Sequence, residues 1–325
     1  MISLGIESTA HTFGVGIIND KKKILAEEKA SLTTKTGGLV PRELTVHHSI
    51  KAKEIVEKAL KKAKLKMKDI DLISFSQGPG IGQALKVGAI SARSLALTYN
   101  KPLIGVNHCI AHIEIGKALT KAKDPVTCYV SGANTQIIAL KNGRYRIFGE
   151  TLDLGLGNLL DIFGRELGLG FPAGPKLDKL YFKSKKYLKL PYTVKGMDLA
   201  FSGLLTAAKR KIGKEKKADL AYSLLHNSFA MLTEVTERAL AHAEKKEVLL
   251  TGGVACSKSL QKMLSKMCLE RKAKLFVPPL NTCVDNGLMI AWTGLTLFKS
   301  GIKTSIKDSE IKPKQRTDEI KVNWN

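Results

Sequence analysis

MISLGIESTAHTFGVGII, residues 1–18, is the segment that most constrains the architecture of this chain. Two apolar runs, 2–6 and 13–18, flank a short polar turn, a pattern that predicts a β-hairpin and not a helix. A third strand is predicted around 23–29. The same succession of strand, small-residue turn and strand returns at CYVSGANTQIIAL, residues 128–140. The repeated opening therefore predicts two lobes of related topology.

Strands and helices alternate beyond the first hairpin. Amphipathic patterns predict helices at about 42–64 and 84–98, with a strand at 72–76 between them and another strand at 103–106. Such alternation is typical of parallel strand pairing in a sheet with helical crossovers. The sequence therefore predicts an α/β fold.

The chain is long enough for two domains of ordinary size, since it has 325 residues of which 44% are hydrophobic. The predicted N-terminal lobe spans 1–123. The predicted C-terminal lobe spans 124–302, carries a helical insertion at about 155–217 and includes a helix that opens at Asp285. The polar tail, 303–325, is expected to contribute little to a core.

The charge balance indicates a polyanionic partner. Lysine and arginine number 53 against 29 acidic residues, a formal charge of +24, and a field of that size attracts RNA, DNA or an acidic protein. No run of about 18 apolar residues occurs and the start lacks a basic leader, so we expect a cytoplasmic protein without a membrane segment. The five cysteines contain no Cys-x-x-Cys pair, which argues against a disulfide framework and a zinc ribbon.

Four short turns, rich in glycine and small polar residues, follow predicted strands. They lie at 7–9, 77–80, 131–133 and 252–254. Backbone amides at such turns, and at the helix ends that follow, can cradle a phosphate. Two turns in each half predict a ligand held between the lobes, whereas plain chain reversal is the alternative for each turn by itself.

The sequence NHCIAH, residues 107–112, follows the strand at 103–106 directly. His108 and His112 are four residues apart, so on a helix they face the same way and can bind one metal ion. Structural packing is the alternative for such a pair. The zinc-protease pattern requires a glutamate directly after the first histidine, and here that position is Cys109. A metalloprotease is therefore disfavoured.

Motifs along the whole chain, from residue 2 to residue 324, resemble those of the archaeal and eukaryotic tRNA threonylcarbamoyltransferases, the catalytic subunits of the KEOPS complex. They occur in the same order as in that family. The motifs are GIEST, VPRELTVHH, SFSQGPG, GVNHCIAHIEIG, YVSGANTQ, GETLDLGLGNLLD, PYTVKGMDLAFSGLLTAA, TERALAH, TGGVA, VPP, DNGLMIAW and RTDEIKVNW.

The resemblance implies a duplicated, two-lobed fold of the actin, sugar-kinase and heat-shock-chaperone type (ASKHA), which is ribonuclease H-like. It implies transfer of a threonylcarbamoyl group from threonylcarbamoyl-adenylate to the N6 amine of the adenosine beside the anticodon, in tRNAs that read codons beginning with A, with release of AMP. Threonylcarbamoyl-adenylate or ATP is then the adenine nucleotide ligand. The implied partners are tRNA, KEOPS-type subunits including a small atypical kinase, and an upstream adenylate-forming enzyme.

The resemblance also assigns site residues. Its metal ligands correspond to His108, His112, Tyr129 and Asp285, which suit one divalent iron or zinc ion per chain; a sulfur ligand from a neighbouring cysteine is the alternative. Glu7 is the candidate proton acceptor for the adenine amine. The implied substrate contacts are Tyr129, Val130, Ser131, Gly132, Ala133, Asp161, Gly174, Asp178 and Ser257.

Three positions depart from the family pattern. Asp178 replaces a glutamate, Ser257 replaces an asparagine that contacts the nucleotide, and His11 stands where relatives often have a carboxylate. Serine lacks the paired donor and acceptor of an amide, so the nucleotide contact changes. Two other functions stay open on the residues alone. One is a non-catalytic RNA-binding ATPase module, and the other is a kinase or chaperone of the same fold that binds magnesium nucleotide without the histidines.

Overall fold

The contacts between backbone segments divide the chain into two compact units. The computed structural model describes residues 1–33 and 40–324. Of these, 1–33, 40–119 and 285–324 form unit 1, whereas 120–284 form unit 2. Among the described helices, none is long and apolar enough to cross a membrane.

The first part of unit 1 builds a mixed sheet in the order β3-β2-β1-β4-β5. The first three strands pair antiparallel as a meander, and β4 and β5 then add in parallel. Buried large side chains such as Ile6, Phe13 and Phe75 fill its core, and truncating one such side chain to alanine typically costs about 2–5 kcal/mol. The elements are β1 (Ile2–Glu7), β2 (Thr12–Asn19), β3 (Ile24–Ser31), α1 (Pro41–Ala63), β4 (Leu72–Gly78), α2 (Gly82–Thr98), β5 (Leu103–Asn107) and α3 (His108–Leu119).

Unit 2 has the same succession of three antiparallel strands followed by two parallel ones. Its main sheet has the order β12-β11-β6-β7-β8. Its elements are β6 (Val126–Val130), β7 (Thr135–Lys141), β8 (Arg144–Glu150), α4 (Leu156–Glu166), α5 (Gly174–Tyr181), β9 (Val194–Lys195), β10 (Asp198–Leu199), α6 (Ser202–Lys209), α7 (Lys217–His242), β11 (Glu247–Thr251), α8 (Lys258–Glu270), β12 (Lys274–Phe276) and α9 (Leu280–Cys283).

The two main sheets are topological copies. Strands β1 to β5 of unit 1 correspond in order and direction to β6, β7, β8, β11 and β12 of unit 2. The prediction of two lobes with related topology, made from the repeated hairpin opening, is therefore confirmed.

The last helix, α10 (Gly287–Lys299), belongs to unit 1 and not to the C-terminal lobe, so the predicted boundary at 302 is wrong. It lies directly on β1 and β2. A Cβ on Gly5 would be 2.2 Å from the backbone nitrogen of Ala291, and a Cβ on Gly16 would be 2.2 Å from that of Leu288. Glycine in both strands is what allows the helix backbone to approach the sheet so closely.

The C-terminal segment is also part of unit 1, which corrects the expectation that 303–325 contributes little to a core. The side-chain amide of Gln77 donates to the carbonyls of Asp308 (2.9 Å) and Glu310 (2.7 Å). Ser309 is fully buried, and Ile311 packs against the core of the sheet. The prediction from polar composition was wrong because hydrogen bonds to the backbone carbonyls of this segment, which composition does not indicate, also hold it against the sheet.

The insertion predicted to be helical contains a small β-hairpin as well. Strands β9 and β10 pair antiparallel with Lys195 opposite Asp198. Gly196 sits in the two-residue turn at φ +64°, a left-handed conformation that favours glycine. The residues 184–193 before this hairpin form neither helix nor strand.

Candidate metal centre

Three elements of unit 1 place acidic and histidine side chains at one edge of its sheet. Glu7 ends β1, and His108 opens α3 immediately after β5. Strands β1, β4 and β5 run parallel, so their carboxyl ends meet at the same edge, which is where open α/β sheets bind ligands. Asp285 enters from the segment that leads into α10.

His108, His112 and Asp285 converge on one point. Oδ1 of Asp285 lies 3.5 Å from Nε2 of His108 and 3.4 Å from Nε2 of His112. One ligand atom from each residue lies within 4.8 Å of the others, and both histidines are buried. Two imidazoles and a carboxylate at this spacing suit a divalent ion such as zinc or iron.

Glu7 fixes the orientation of the first histidine. Its Oε2 accepts a hydrogen bond from Nδ1 of His108 at 3.0 Å, and its Oε1 accepts from the backbone N–H (2.7 Å) and the hydroxyl (2.5 Å) of Thr9. A carboxylate that binds Nδ1–H leaves Nε2 as the nitrogen available to a metal, the usual arrangement behind histidine ligands. Nε2 is the atom that faces Asp285.

Asparagine side chains cap the N-termini of α3, which carries the two histidines, and of α10, which follows Asp285. The side-chain oxygen of Asn107 accepts from the N–H of Ile110 (3.1 Å) at the start of α3, and that of Asn286 accepts from the N–H of Met289 (3.0 Å) at the start of α10. Each cap satisfies an otherwise unpaired amide at the helix end. Each asparagine is the sequence neighbour of a ligand, so capping also restricts the backbone that presents the ligand.

The charges and hydrogen bonds within the cluster keep the Asp285 carboxylate ionised. Burial opposes the charged imidazolium, but the adjacent Glu7 carboxylate outweighs it and raises the pKa of His108 to about 9. Burial lowers the pKa of His112, so this imidazole stays neutral. Burial opposes ionisation of Asp285, yet its hydrogen bond with His112 and the charge of His108 lower its pKa strongly. Asp285 and His112 are therefore in the forms that bind a metal, whereas His108 must release its Nε2 proton when a metal binds.

The cysteine alternative finds no support in this cluster. Among the described residues, the group that could hold a metal contains no sulfur, and no disulfide is present. Burial raises the pKa of Cys128 and of Cys283 to about 12 each. When no metal is bound, these thiols therefore stay protonated at neutral pH.

Tyr129 and Val130 are the last residues of β6 in unit 2, and both side chains are buried. Ser131, Gly132 and Ala133 form the turn that follows. The N–H of Gly157 donates to the carbonyl of Ser131 (3.0 Å), so the turn packs on the start of α4. The role of Tyr129 as a fourth metal ligand, and of this turn in substrate binding, stays a prediction.

Asp178 and Ser257, predicted as separate substrate contacts, are bonded to each other. The Ser257 hydroxyl donates to the Asp178 carboxylate at 2.7 Å, and the N–H groups of Lys258 (3.0 Å) and Ser259 (3.2 Å) donate to the same carboxylate. Ser257 also caps α8 by accepting from the N–H of Leu260. These bonds occupy the amides of the first turn of α8, which the sequence predicted to be free for a phosphate.

Asp161 and Gly174 are likewise neighbours. Oδ1 of Asp161, on α4, accepts from the N–H of Ala173 at 2.8 Å, directly before Gly174 opens α5. Sequence reasoning missed Thr9 and the two capping asparagines. An asparagine directly before a predicted helix is the signal that would have found the caps.

Comparison with known proteins gives consistent matches. The family described as "TsaD: tRNA N6-adenosine threonylcarbamoyltransferase" matches residues 23–292. The protein named tRNA N6-adenosine threonylcarbamoyltransferase from Thermococcus sibiricus is 56% identical over 326 residues, with 100% of both chains covered. A "Probable bifunctional tRNA threonylcarbamoyladenosine biosynthesis protein" from Methanocaldococcus jannaschii is 50% identical over 325 residues, which are 100% of this chain and 60% of that protein.

Solved structures show the fold. HypF from T. kodakarensis aligns with a TM-score of 0.65 at 16% identity, covering 92% of this chain and 48% of that one. A ROK hexokinase from Thermus thermophilus aligns with a TM-score of 0.54 at 15% identity, covering 93% of this chain and 100% of that one. The fold is therefore of the duplicated actin-like type, as the sequence predicted.

Proposed function

This chain belongs to the tRNA N6-adenosine threonylcarbamoyltransferase family, and we propose that it transfers the threonylcarbamoyl group of threonylcarbamoyl-adenylate to the N6 amine of the adenosine beside the tRNA anticodon. The amine nitrogen forms a bond to the carbamoyl carbon, the bond from that carbon to the phosphate oxygen breaks, and AMP leaves. The amine gives up one proton, which passes to solvent water. The substrates are the tRNAs that read codons beginning with A.

The observation that carries this proposal is the His108, His112 and Asp285 cluster. A non-catalytic ATPase module, or a kinase of this fold, gives no reason for two buried histidines beside an ionised carboxylate. The family implies a divalent metal, and the donor set fits one, with iron or zinc as the candidates. When bound, such an ion supplies Lewis-acid polarisation of a carbonyl oxygen.

We assign Glu7 a positioning role through His108, in place of the predicted role as proton acceptor. Its side chain is fully buried, and both carboxylate oxygens accept hydrogen bonds from Thr9 and His108. A base must reach the proton that it removes, directly or through one water. Holding Nδ1 of His108 instead keeps Nε2 directed at the centre, which is a positioning role.

We propose that residues of unit 2 bind the adenylate. We assign this role to the turn that contains Ser131, Gly132 and Ala133, whose backbone is braced by α4. Tyr129, Val130, Asp161 and Gly174 complete the proposed binding residues. Asp178 and Ser257 contribute by fixing the start of α8 and thereby the turn at 252–254 before it.

The partners follow from the reaction. An adenylate-forming enzyme must supply threonylcarbamoyl-adenylate, and KEOPS-type subunits, including a small atypical kinase, are proposed to position the tRNA. The M. jannaschii relative is named a bifunctional protein, and this chain covers 60% of it. A second function within one chain of that relative supports the proposal that the transferase works with partners.

The test is a reconstituted modification assay with tRNA, threonine, bicarbonate, ATP and the adenylate-forming enzyme. Wild-type protein should modify tRNA, and His112→Ala should lose both bound metal and transfer while it keeps its circular dichroism spectrum, because one ligand is removed. His242→Ala is the matched control, since that histidine is exposed on α7. Full transfer by metal-free His112→Ala would refute the proposal.

A further inference from the structure

A segment of unit 2 combines basic and aromatic residues without any acidic ones. Residues 179–197, KLYFKSKKYLKLPYTVKGM, contain six lysines and four aromatic residues but no aspartate or glutamate. We call residues 179–197 the basic aromatic segment. They run from the end of α5 to the turn between β9 and β10. Nothing in the proposed transfer chemistry requires this composition.

The segment is anchored although much of it is neither helix nor strand. Leu188 and Leu190 are buried against the unit 2 core. The N–H of Leu188 donates to the Ser223 hydroxyl (2.8 Å), and the side-chain amide of Asn227 donates to the carbonyl of Leu190 (3.1 Å). A backbone fixed to α7 in this way presents the intervening side chains to solvent without a large ordering cost on binding.

The aromatic residues form a partly exposed array. Tyr222 stacks on Tyr181, with ring centroids 4.9 Å apart, and on His226 at 5.5 Å. Phe182 lies edge-on to Tyr181 and is 53% exposed, and Tyr187 lies edge-on to His226 and is 49% exposed. Rings that are held by their neighbours while half of their surface faces water are suited to stacking on unpaired bases.

The charges beside these rings are available to an anion. Lys183, Lys185 and Lys189 are exposed, and among the residues described no carboxylate pairs with them. Lys186 differs, because it pairs with Glu215 at 3.0 Å. Three unpaired ammonium groups next to exposed rings match a nucleic acid, which offers phosphates and base faces together.

We propose that the basic aromatic segment is an RNA-docking surface, on which Lys183, Lys185 and Lys189 contact phosphates and Phe182 and Tyr187 stack on unpaired bases. The assignment of the RNA as tRNA rests on the proposed function. Charge complementarity favours RNA over a protein partner, since the whole chain carries +24 and this surface adds positive charge without a compensating carboxylate in its own sequence.

The charge half of the proposal is tested by tRNA binding over a salt series, measured by fluorescence anisotropy on the full chain. A variant that combines Lys183→Ala, Lys185→Ala and Lys189→Ala should lower the slope of log affinity against log salt by about 2, since each single-stranded phosphate contact contributes roughly 0.7. The control combines substitutions of three exposed lysines outside the segment, one on α1 and two on α8: Lys61→Ala, Lys262→Ala and Lys266→Ala. Equal slopes for the two triple variants would overturn the proposal.

The stacking half is tested at Phe182. Phe182→Ala should weaken tRNA binding roughly 5-fold to 150-fold, the range typical of losing one stacked base, with an unchanged salt slope. Phe182→Tyr keeps the ring and should bind like wild type. Wild-type affinity in Phe182→Ala, even if binding to a protein partner is lost, would overturn the assignment to RNA.

Turnover separates this proposal from the proposed function. The lysine variant should keep its metal and its transfer rate at saturating tRNA while its KM for tRNA rises, because the variant residues do not take part in the chemistry. If wild-type protein bound tRNA through this surface but transferred nothing, the proposed function would fail and the docking surface would stand.

Discussion

Replacing Glu7 by glutamine tests how the metal centre is organised. Glutamine has the same size, but it offers one acceptor oxygen where the carboxylate uses two, one for Thr9 and one for Nδ1 of His108. If the amide oxygen stays with Thr9, its NH2 group faces the Nδ1–H donor. In this orientation the variant loses the charge-assisted bond that orients His108, and in the other it keeps an oxygen acceptor for His108 but without the charge.

The expected loss of metal affinity follows from the loss of the bond between Glu7 and His108. Loss of a partner behind a histidine ligand typically reduces metal affinity or activity by about 10-fold to 100-fold, which corresponds to about 1.4–2.7 kcal/mol. The assay is competition for the metal with a chelator of known affinity, combined with transfer at saturating metal. Glu114→Gln is the matched control, because Glu114 is also buried and lies on α3, where it pairs with Lys117.

The two roles proposed for Glu7 predict different results. A positioning residue weakens metal binding, and added metal restores much of the transfer. A proton acceptor leaves metal affinity unchanged and lowers the transfer rate even when the site is saturated. Metal affinity in Glu7→Gln equal to that of wild type, in a protein with unchanged thermal stability, would refute the positioning role.

Two predictions concern stability. Burial, followed by the charge of His47, lowers the pKa of His48 to about 4. The unfolded chain therefore binds the imidazole proton at a higher pH than the folded protein does, so stability should fall as the pH drops from about 6.5 to 4. Thermal melts should show a smaller decline in His48→Gln, and an equal decline would contradict this. Asp178→Asn removes the carboxylate that accepts at the start of α8 and should cost roughly 1–3 kcal/mol in urea unfolding, whereas exposed Glu270→Gln should stay within about 0.5 kcal/mol.

Local patterns predicted most of the fold because their physical signals are short-ranged. The apolar runs 2–6 and 13–18 around a polar turn indicate a hairpin, and the spacing of His108 and His112 indicates a shared helix face. The placement of α10 could not be predicted in this way. It follows β12 in sequence but packs on β1 and β2, and this contact depends on glycines that are far from the helix in the sequence.

The residues of the candidate site show the same difference between local signals, which the sequence reveals, and contacts between distant residues, which it does not. The histidine pair was visible in the sequence, whereas Asp285 was implied only by resemblance, because no spacing rule connects residues so far apart. The mutual bond of Asp178 and Ser257 was also hidden, since each was assessed as a separate contact. In each case the sequence could not predict the contact partner, because that partner is distant in sequence and neither periodicity nor composition indicates it.

The split layout of unit 1 sets the order in which the metal centre can be assembled during synthesis. His112 leaves the ribosome early, but Asp285 follows 173 positions later, after all of unit 2. At roughly 5–20 residues per second, the histidines wait on the order of ten to thirty seconds for their carboxylate. Throughout that interval α10 is absent, so the glycine-lined face of β1 and β2 is uncovered. Until about the last eighth of the chain has been made, the nascent chain therefore exposes this face to aggregation, and the candidate centre lacks its carboxylate.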